Sequence, residues 1–293
     1  MANAFLNAGA TSLAAANWSD ATGFADDATL FIQSGTQDIT GGLSPSIANG
    51  IANLDILPAF SGRIGGASGS LAVETRVSLL SQANQLPRVR YWGNGGAFYY
   101  TPAGAGAATN TCVYLQFAGS GGSFVNGTGT VYRLEVESGP YYVGTSIDGV
   151  TTYRWTLAGG SGTIDGIVGS NELYSVTVTG GSHTIKRGVV GGTVAENSTK
   201  EGLNVYGGVV TIDAFAETIS DMTIAGGTVI VRNCGTITYI GGFSGVLDLS
   251  QLQRPLTIST LSDAQTLTIV PPPPGLLTIT NRYKIGHGSA GLT

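Results

Sequence analysis

Short runs of alternating apolar and polar residues recur along this 293-residue chain, and most are rich in Val, Ile, Thr and Tyr. Residues 132–136, 174–179 and 228–231 are examples. Such alternation is typical of a half-buried β-strand, whereas an amphipathic helix would repeat its apolar residues every three to four positions. Few stretches keep the helical period over three turns. The pattern therefore predicts an all-β chain.

Glycine pairs punctuate these runs in the second half of the chain. A strand precedes and another follows each of the pairs at 159/160, 180/181, 207/208, 226/227 and 241/242, and the interval between successive pairs varies. A degenerate repeat of about 15–20 residues, with glycine at each corner, is typical of the stacked coils of a parallel β-solenoid. A β-sandwich does not require such a unit, and a propeller blade needs about 40–45 residues. The repeat therefore favours a parallel β-solenoid (β-helix) over both alternatives.

Two segments depart from the repeat and divide the chain into four parts. Residues 93–110 are rich in glycine and alanine and predict a loop-like junction. The four prolines at 271–274 cannot donate ladder hydrogen bonds, so we expect this spacer to leave the coil. The predicted organisation is an N-terminal β region over 1–92, the junction over 93–110, a regular solenoid over 111–270, and a proline spacer with a C-terminal arm reaching a neighbour over 271–293.

The composition excludes several classes of protein. Glycine supplies 46 residues without the triplet period of collagen, and 42% hydrophobic residues distinguish the chain from a disordered polar tract. Only 11% of residues are charged and the net charge is −5, so we expect no nucleic-acid or membrane partner. Positions 1–20 carry no Lys or Arg, and no stretch approaches the ~20 apolar residues of a membrane helix. We therefore expect neither a secretory signal nor a membrane span.

The residues that carry metal and redox chemistry are few. His183 and His287 have no second His or Cys at metal-ligand spacing, which predicts structural histidines, no metal site and no cofactor. Cys112 and Cys234 are far apart and form no CxxC motif. Two buried free thiols are the favoured interpretation, with a single bridge as the alternative.

One pair of carboxylates has a spacing similar to that of a glycosidase site. Glu135 and Glu137 lie two apart on a predicted strand, so they share one face at roughly 7 Å, close to the separation that glycosidases use. Their alternation with Leu134 and Val136 is equally typical of a solvated outer face. Because the basic residues are dispersed along the sequence, we expect no enzyme, with Glu135 and Glu137 as the catalytic candidates if there is one.

Aromatic residues supply the candidate binding positions. Trp18 and Phe24 are candidates to cover the open end of the first coil. Tyr91, Trp92, Phe98, Tyr99 and Tyr100 form an aromatic stretch that predicts either a surface for stacking sugars or binding proteins, or packing inside the solenoid.

Several segments together resemble a known class of protein. They are the Asn17-Trp18-Ser19-Asp20 motif with its continuation to residue 32, residues 54–62, and the glycine-punctuated coils. The chain resembles virion structural proteins of tailed bacteriophages. The resemblance implies a head decoration, cement or head-spike protein, commonly a homotrimer, that is made in the host cytoplasm and carried on the outer surface of the particle. Implied partners are copies of itself, the major capsid protein or other virion proteins, and a host surface glycan.

Three other functions remain as alternatives. A tail fibre or tailspike would bind a receptor through an exposed aromatic surface. A polysaccharide depolymerase would use Glu135 and Glu137. A bacterial surface adhesin would need an export signal, which the first residues do not resemble.

Overall fold

The structure, a computed structural model, is described for most of the chain. The described residues are 3–19, 29–43, 53–65, 71, 88–100, 111–146, 155–165, 173, 175–189, 192–193 and 200–285. Phe24 and His287 lie outside them.

The described residues form an all-β protein with one short 3-10 helix, Ala15–Asn17. The strands are β1 (Asn3–Phe5), β2 (Thr29–Gly35), β3 (Asn53–Phe60), β4 (Arg88–Tyr91), β5 (Ala97–Tyr100), β6 (Thr111–Phe117), β7 (Gly122–Val136), β8 (Pro140–Ser146), β9 (Trp155–Leu157), β10 (Ser161–Ile164), β11 (Val176–Val178), β12 (Ser182–Ile185), β13 (Gly192–Thr193), β14 (Lys200–Glu201), β15 (Leu203–Val205), β16 (Val209–Asp248), β17 (Leu256–Val270) and β18 (Leu277–Ile285). The longest of these runs pass through corners of the coil.

The chain divides into two compact units. Unit 1 comprises Met1–Asp148 with Gly160–Asn171, and unit 2 comprises Gly149–Gly159 with Glu172–Thr293. Within each unit the strands pair in parallel with strands one coil further along the chain, which confirms the predicted parallel β-solenoid. The short strands β13 and β14 pair antiparallel.

Columns of identical or similar apolar side chains fill the interior of unit 1. Leu30 pairs with Leu54, Leu54 with Val89, Val89 with Leu115, and Leu115 with Leu134, and all five side chains are buried. Full burial of each such side chain stabilises the fold by about 1.5–3 kcal/mol. The N-terminal region over 1–92 therefore contains coils of the same kind as the rest of unit 1.

Unit 2 repeats this construction with the spacing predicted from the glycine pairs. Val176 pairs with Trp155 in the preceding coil and with Leu203 in the following one. Leu203 in turn pairs with Met222 in the coil after that. The sequence intervals between these partners equal those between the successive glycine pairs at 159/160, 180/181, 207/208 and 226/227. Each interval is the length of one coil, and the first two, 21 and 27 residues, exceed the predicted repeat of about 15–20 residues.

Glycines with positive φ mark corners of the coils in both units. They include Gly139 (80°), Gly160 (73°), Gly181 (80°), Gly208 (74°), Gly227 (67°) and Gly245 (93°). A Cβ at Gly208 would lie 2.7 Å from the carbonyl oxygen of Gly181, and a Cβ at Gly227 would lie 2.6 Å from that of Gly208. The corner therefore leaves no room for a side chain between coils.

The corner predicted at Gly241 and Gly242 is wrong. A Cβ at Gly245, not Gly242, would meet the preceding corner, 2.7 Å from the carbonyl oxygen of Gly227. A Cβ at Gly242 would instead point towards Leu267. The interval from Gly227 to Gly242 is too short to complete the coil, which returns to its corner only at Gly245.

Two predicted irregular segments also require correction. The loop-like junction contains a strand, β5, because Phe98 and Tyr100 alternate into the core. The C-terminal arm is in part a further coil, since β18 pairs in parallel with β17 from Leu256–Leu277 to Ala264–Ile285. The prolines at 271–274 occupy the corner between those two strands, where no ladder donor is needed.

Candidate functional site

Three of the aromatic candidates lie in the core of unit 1. Tyr91, Phe98 and Tyr100 are 0% exposed and stack on one another, with ring centroids 5.1 Å apart for Tyr91–Phe98 and 5.7 Å for Phe98–Tyr100. The Tyr91 hydroxyl donates a hydrogen bond to the carbonyl of Gly96, and burial raises the pKa of Tyr91 to about 12. These residues support the interpretation as core packing and form no docking surface.

The other two aromatic candidates point outwards but are covered in part. The ring of Tyr99 stacks on Phe124 at 4.9 Å. The guanidinium of Arg90 lies 4.8 Å from the centre of the Trp92 ring. Within the described part of the chain, the buried Trp92 Nε1 has no hydrogen-bond acceptor. Each ring therefore has one face in contact with a neighbouring side chain, and a binding role for Tyr99 and Trp92 stays a prediction.

Trp18 is tied to the first coil. It is 3% exposed, forms an antiparallel bridge with Leu6, and donates a hydrogen bond from Nε1 to the carbonyl of Leu13 at 3.1 Å. The end-capping role of Trp18 stays a prediction, and its partner in that prediction, Phe24, lies outside the described residues.

Glu135 and Glu137 lie on the outer face of unit 1, as their alternation predicted. Glu135 accepts hydrogen bonds from the Tyr114 hydroxyl and from Arg133, at 2.8 Å for the latter, and Glu137 accepts one from the Gln116 amide at 2.7 Å. Both oxygens of Glu135 therefore bond to neighbours.

Basic residues that are dispersed in the sequence meet on this outer face. Arg90 pairs with Gln116 across the ladder, and Gln116 with Glu135. Arg90 also forms a two-pronged ion pair with Asp55, whose side chain is only 2% exposed. The sequence missed this cluster because its members lie on different strands and are neighbours only through coil stacking. Each charge is paired within the cluster, so the face holds coils together.

The buried titratable groups of unit 2 serve the core. Cys234 is a buried free thiol, as predicted, and burial raises its pKa to about 12. The side chain of Cys112 lies outside the described set. His183 points inwards from β12 in register with Val210, and its Nε2 donates a hydrogen bond to the carbonyl of Gly180 at 2.8 Å. The prediction of a structural histidine is confirmed.

Acid is expected to destabilise unit 2 through His183. Burial lowers the pKa of His183 below its ordinary value of 6.5, so the unfolded chain binds a proton more readily. The free energy of unfolding should be constant above pH 6.5 and fall below it, by at most about 1.4 kcal/mol per pH unit. Urea denaturation between pH 4.5 and 8 measures this slope. His183→Val should reduce the slope while His287→Asn leaves it, and equal slopes in both variants would contradict the assignment.

A second set of aromatic residues is exposed in unit 2, and no pattern in the sequence had indicated it. Tyr206, Tyr239, Phe243 and Tyr283 are 54%, 38%, 51% and 60% exposed, and we call them the aromatic surface. A Cβ at Gly241 would lie 3.3 Å from the Tyr239 ring and 3.8 Å from the Phe243 ring, so these two rings flank a bare glycine. All four side chains are thus substantially exposed to solvent.

Among the described residues, no group of three or more His, Cys, Asp or Glu side chains has a geometry suited to a metal ion. The same part of the chain contains no helix long and apolar enough to cross a membrane.

Comparison with known proteins gives no relative. No protein-family model, no curated protein and no solved structure matches the chain.

Proposed function

We propose that the chain is a non-enzymatic structural protein of a tailed-phage particle, bound to the head as a decoration, cement or head-spike protein and assembled as a homotrimer. The stacking of parallel coils carries this proposal. The backbone groups of each coil form hydrogen bonds with the coils on either side. Few of them are therefore accessible to a protease, and a pulling force must break many hydrogen bonds at once. The resemblance of the N-terminal motif at residues 17–20 adds the particle context.

The low charge of the chain suits a crowded lattice. With 13 basic and 18 acidic residues among 293, neighbouring copies repel one another weakly. A decoration protein that repeats over a lattice needs only a weak site on each subunit, since many linked weak contacts give strong attachment.

The geometry of Glu135 and Glu137 supports a role without catalysis. Their carboxylates bond to Tyr114, Arg133 and Gln116, and thus act as links between coils. A depolymerase would need one protonated carboxylic acid beside an ionised one. Incubation of the full chain with host capsule or cell-wall polysaccharide should therefore release no reducing ends. Release that Glu135→Gln abolishes would overturn the non-enzymatic assignment.

The copy number in purified particles tests the main proposal. Quantitative mass spectrometry against the major capsid protein should find the chain at a number comparable to that protein. A few trimers per particle would favour the second candidate, a tail fibre or tailspike, to which the exposed aromatic surface of unit 2 gives support. Absence from particles would overturn both.

A further inference from the structure

The aromatic surface has a regular spacing along the coils of unit 2. Gly208, Gly227 and Gly245 stack at one corner, so the residues two positions before them, Tyr206, Ala225 and Phe243, occupy matching places in three successive coils. A hydrogen bond from Ser244 Oγ to the carbonyl of Ala225 at 2.7 Å holds this register. An aromatic ring thus alternates with a methyl group.

A further exposed ring lies in the next two coils, in a neighbouring column. Gly241 pairs with Ser262, and Ser262 with Tyr283. Tyr283 therefore lies two coils beyond Gly241, two strand positions to the side of the column that contains Tyr206, Ala225 and Phe243. Two coil spacings are roughly 9.6 Å. Exposed rings thus recur in every second coil, with Tyr283 displaced along the strand direction.

The chemistry of this surface fits a sugar chain. An aromatic face is electron-rich and attracts the C–H groups on the apolar face of a hexose. Beside the rings, Thr260 and Asn281 continue the column that begins with Tyr239 and supply hydroxyl and amide groups. Rings with a few polar groups are typical of specific ligand sites. The four rings are uncharged, so a neutral sugar can stack on them, and the exposed Arg282 and Lys284 flank Tyr283 in β18.

The size of the surface argues against a second copy of the chain as its occupant. Four rings that are about half exposed offer roughly 400 Å². A stable protein interface buries about 800 Å² on each partner. A flexible polymer, in contrast, gains affinity from each ring in turn.

We propose that the aromatic surface binds a neutral polysaccharide, with the sugar chain crossing successive coils and a hexose stacked on each ring. The geometry assigns Tyr283 and Phe243 as the principal stacking positions, because their side chains are 60% and 51% exposed and lie two coils apart. This inference goes beyond the particle role and does not rest on it, since the same surface serves a head or a tail protein.

Affinity electrophoresis of the full chain tests the proposal. Native gels that contain hydroxyethyl cellulose, galactomannan or dextran should retard the wild-type protein in at least one case. Tyr283→Ala and Phe243→Ala should each weaken the apparent dissociation constant about tenfold, which corresponds to about 1.4 kcal/mol. Tyr283→Phe keeps the ring and should bind like the wild type. Retardation by none of the three polysaccharides would overturn the proposal.

Phe215 provides the matched control. It is 57% exposed, but the guanidinium of Arg254 lies 3.9 Å from the centre of its ring. Phe215→Ala should bind like the wild type, and a tenfold loss there would show that removal of any exposed ring has this effect.

Sedimentation analysis tests whether the aromatic surface is instead an interface between copies of the chain. If Tyr283→Ala dissociates an oligomer, the aromatic surface is an interface between copies and the sugar site is overturned, while the particle proposal stands.

Discussion

Replacement of Gly208 by alanine is expected to lower the free energy of unfolding by about 2–5 kcal/mol. Gly208 has a φ of 74°, a conformation that costs a residue with a Cβ about 1–2 kcal/mol. The new Cβ would also lie 2.6 Å from the Gly180 carbonyl carbon and 2.7 Å from the Gly181 oxygen. These are backbone atoms of the preceding coil and cannot rotate away, so overpacking adds about 1–3 kcal/mol.

Gly275 is the matched control for this prediction. Its φ is 80°, but a Cβ there would meet no atom within 4 Å. Gly275→Ala should therefore cost only the conformational part, about 1–2 kcal/mol. Urea denaturation gives both values, and hydrogen exchange should locate the effect of Gly208→Ala in β12 and β16. Equal losses at the two positions would show that coil stacking does not constrain the corner.

Removal of the Asp55 carboxylate is expected to cost about 2–4 kcal/mol. Asp55 is 2% exposed and its partner Arg90 has a side chain that is 20% exposed, so Asp55→Ala leaves a largely buried cation unpaired. Loss of one partner of a buried pair commonly costs about 3–5 kcal/mol, and the partial exposure of Arg90 reduces the penalty because water reaches it. The double variant Asp55→Leu, Arg90→Met should recover much of the loss, since no buried charge remains.

An exposed ion pair in unit 1 provides the reference for the stability contribution of the Asp55–Arg90 pair. Arg63 and Asp38 lie 3.0 Å apart, with side chains that are 48% and 49% exposed. Asp38→Ala should cost less than about 1 kcal/mol, because water screens the pair and solvates the remaining charge. Thermal denaturation of the two single variants measures the difference. A similar loss for both would mean that burial does not determine the strength of the Asp55–Arg90 pair.

The positions of the aromatic candidates could not be predicted from the sequence. Tyr91, Phe98 and Tyr100 have the composition of a binding surface and the alternation of a core strand, and these two properties predict opposite positions. The structure resolves the conflict because Phe98 and Tyr100 share the inner parity of β5, while Tyr99 between them faces outwards. A shift of one residue would invert all three.

Local properties of the chain determined the fold class. Alternation with a period of two specifies strands, and a glycine that turns with positive φ specifies a corner, so the parallel solenoid followed from the sequence alone. The free thiol of Cys234 and the structural role of His183 also followed, because neither residue has a partner at CxxC or metal-ligand spacing. The outward position of Glu135 followed from strand parity.

Tertiary structure decided everything that depends on which residues stack. Gly245 rather than Gly242 closes the last glycine corner, β18 continues the coil beyond the prolines, and Arg90 reaches Asp55 on a different strand. The aromatic surface is of the same kind, since Phe243 and Tyr283 are distant in sequence and two coils apart in space. Coil length varies from one coil to the next, so the lateral neighbours of a residue are fixed only when the whole stack has formed.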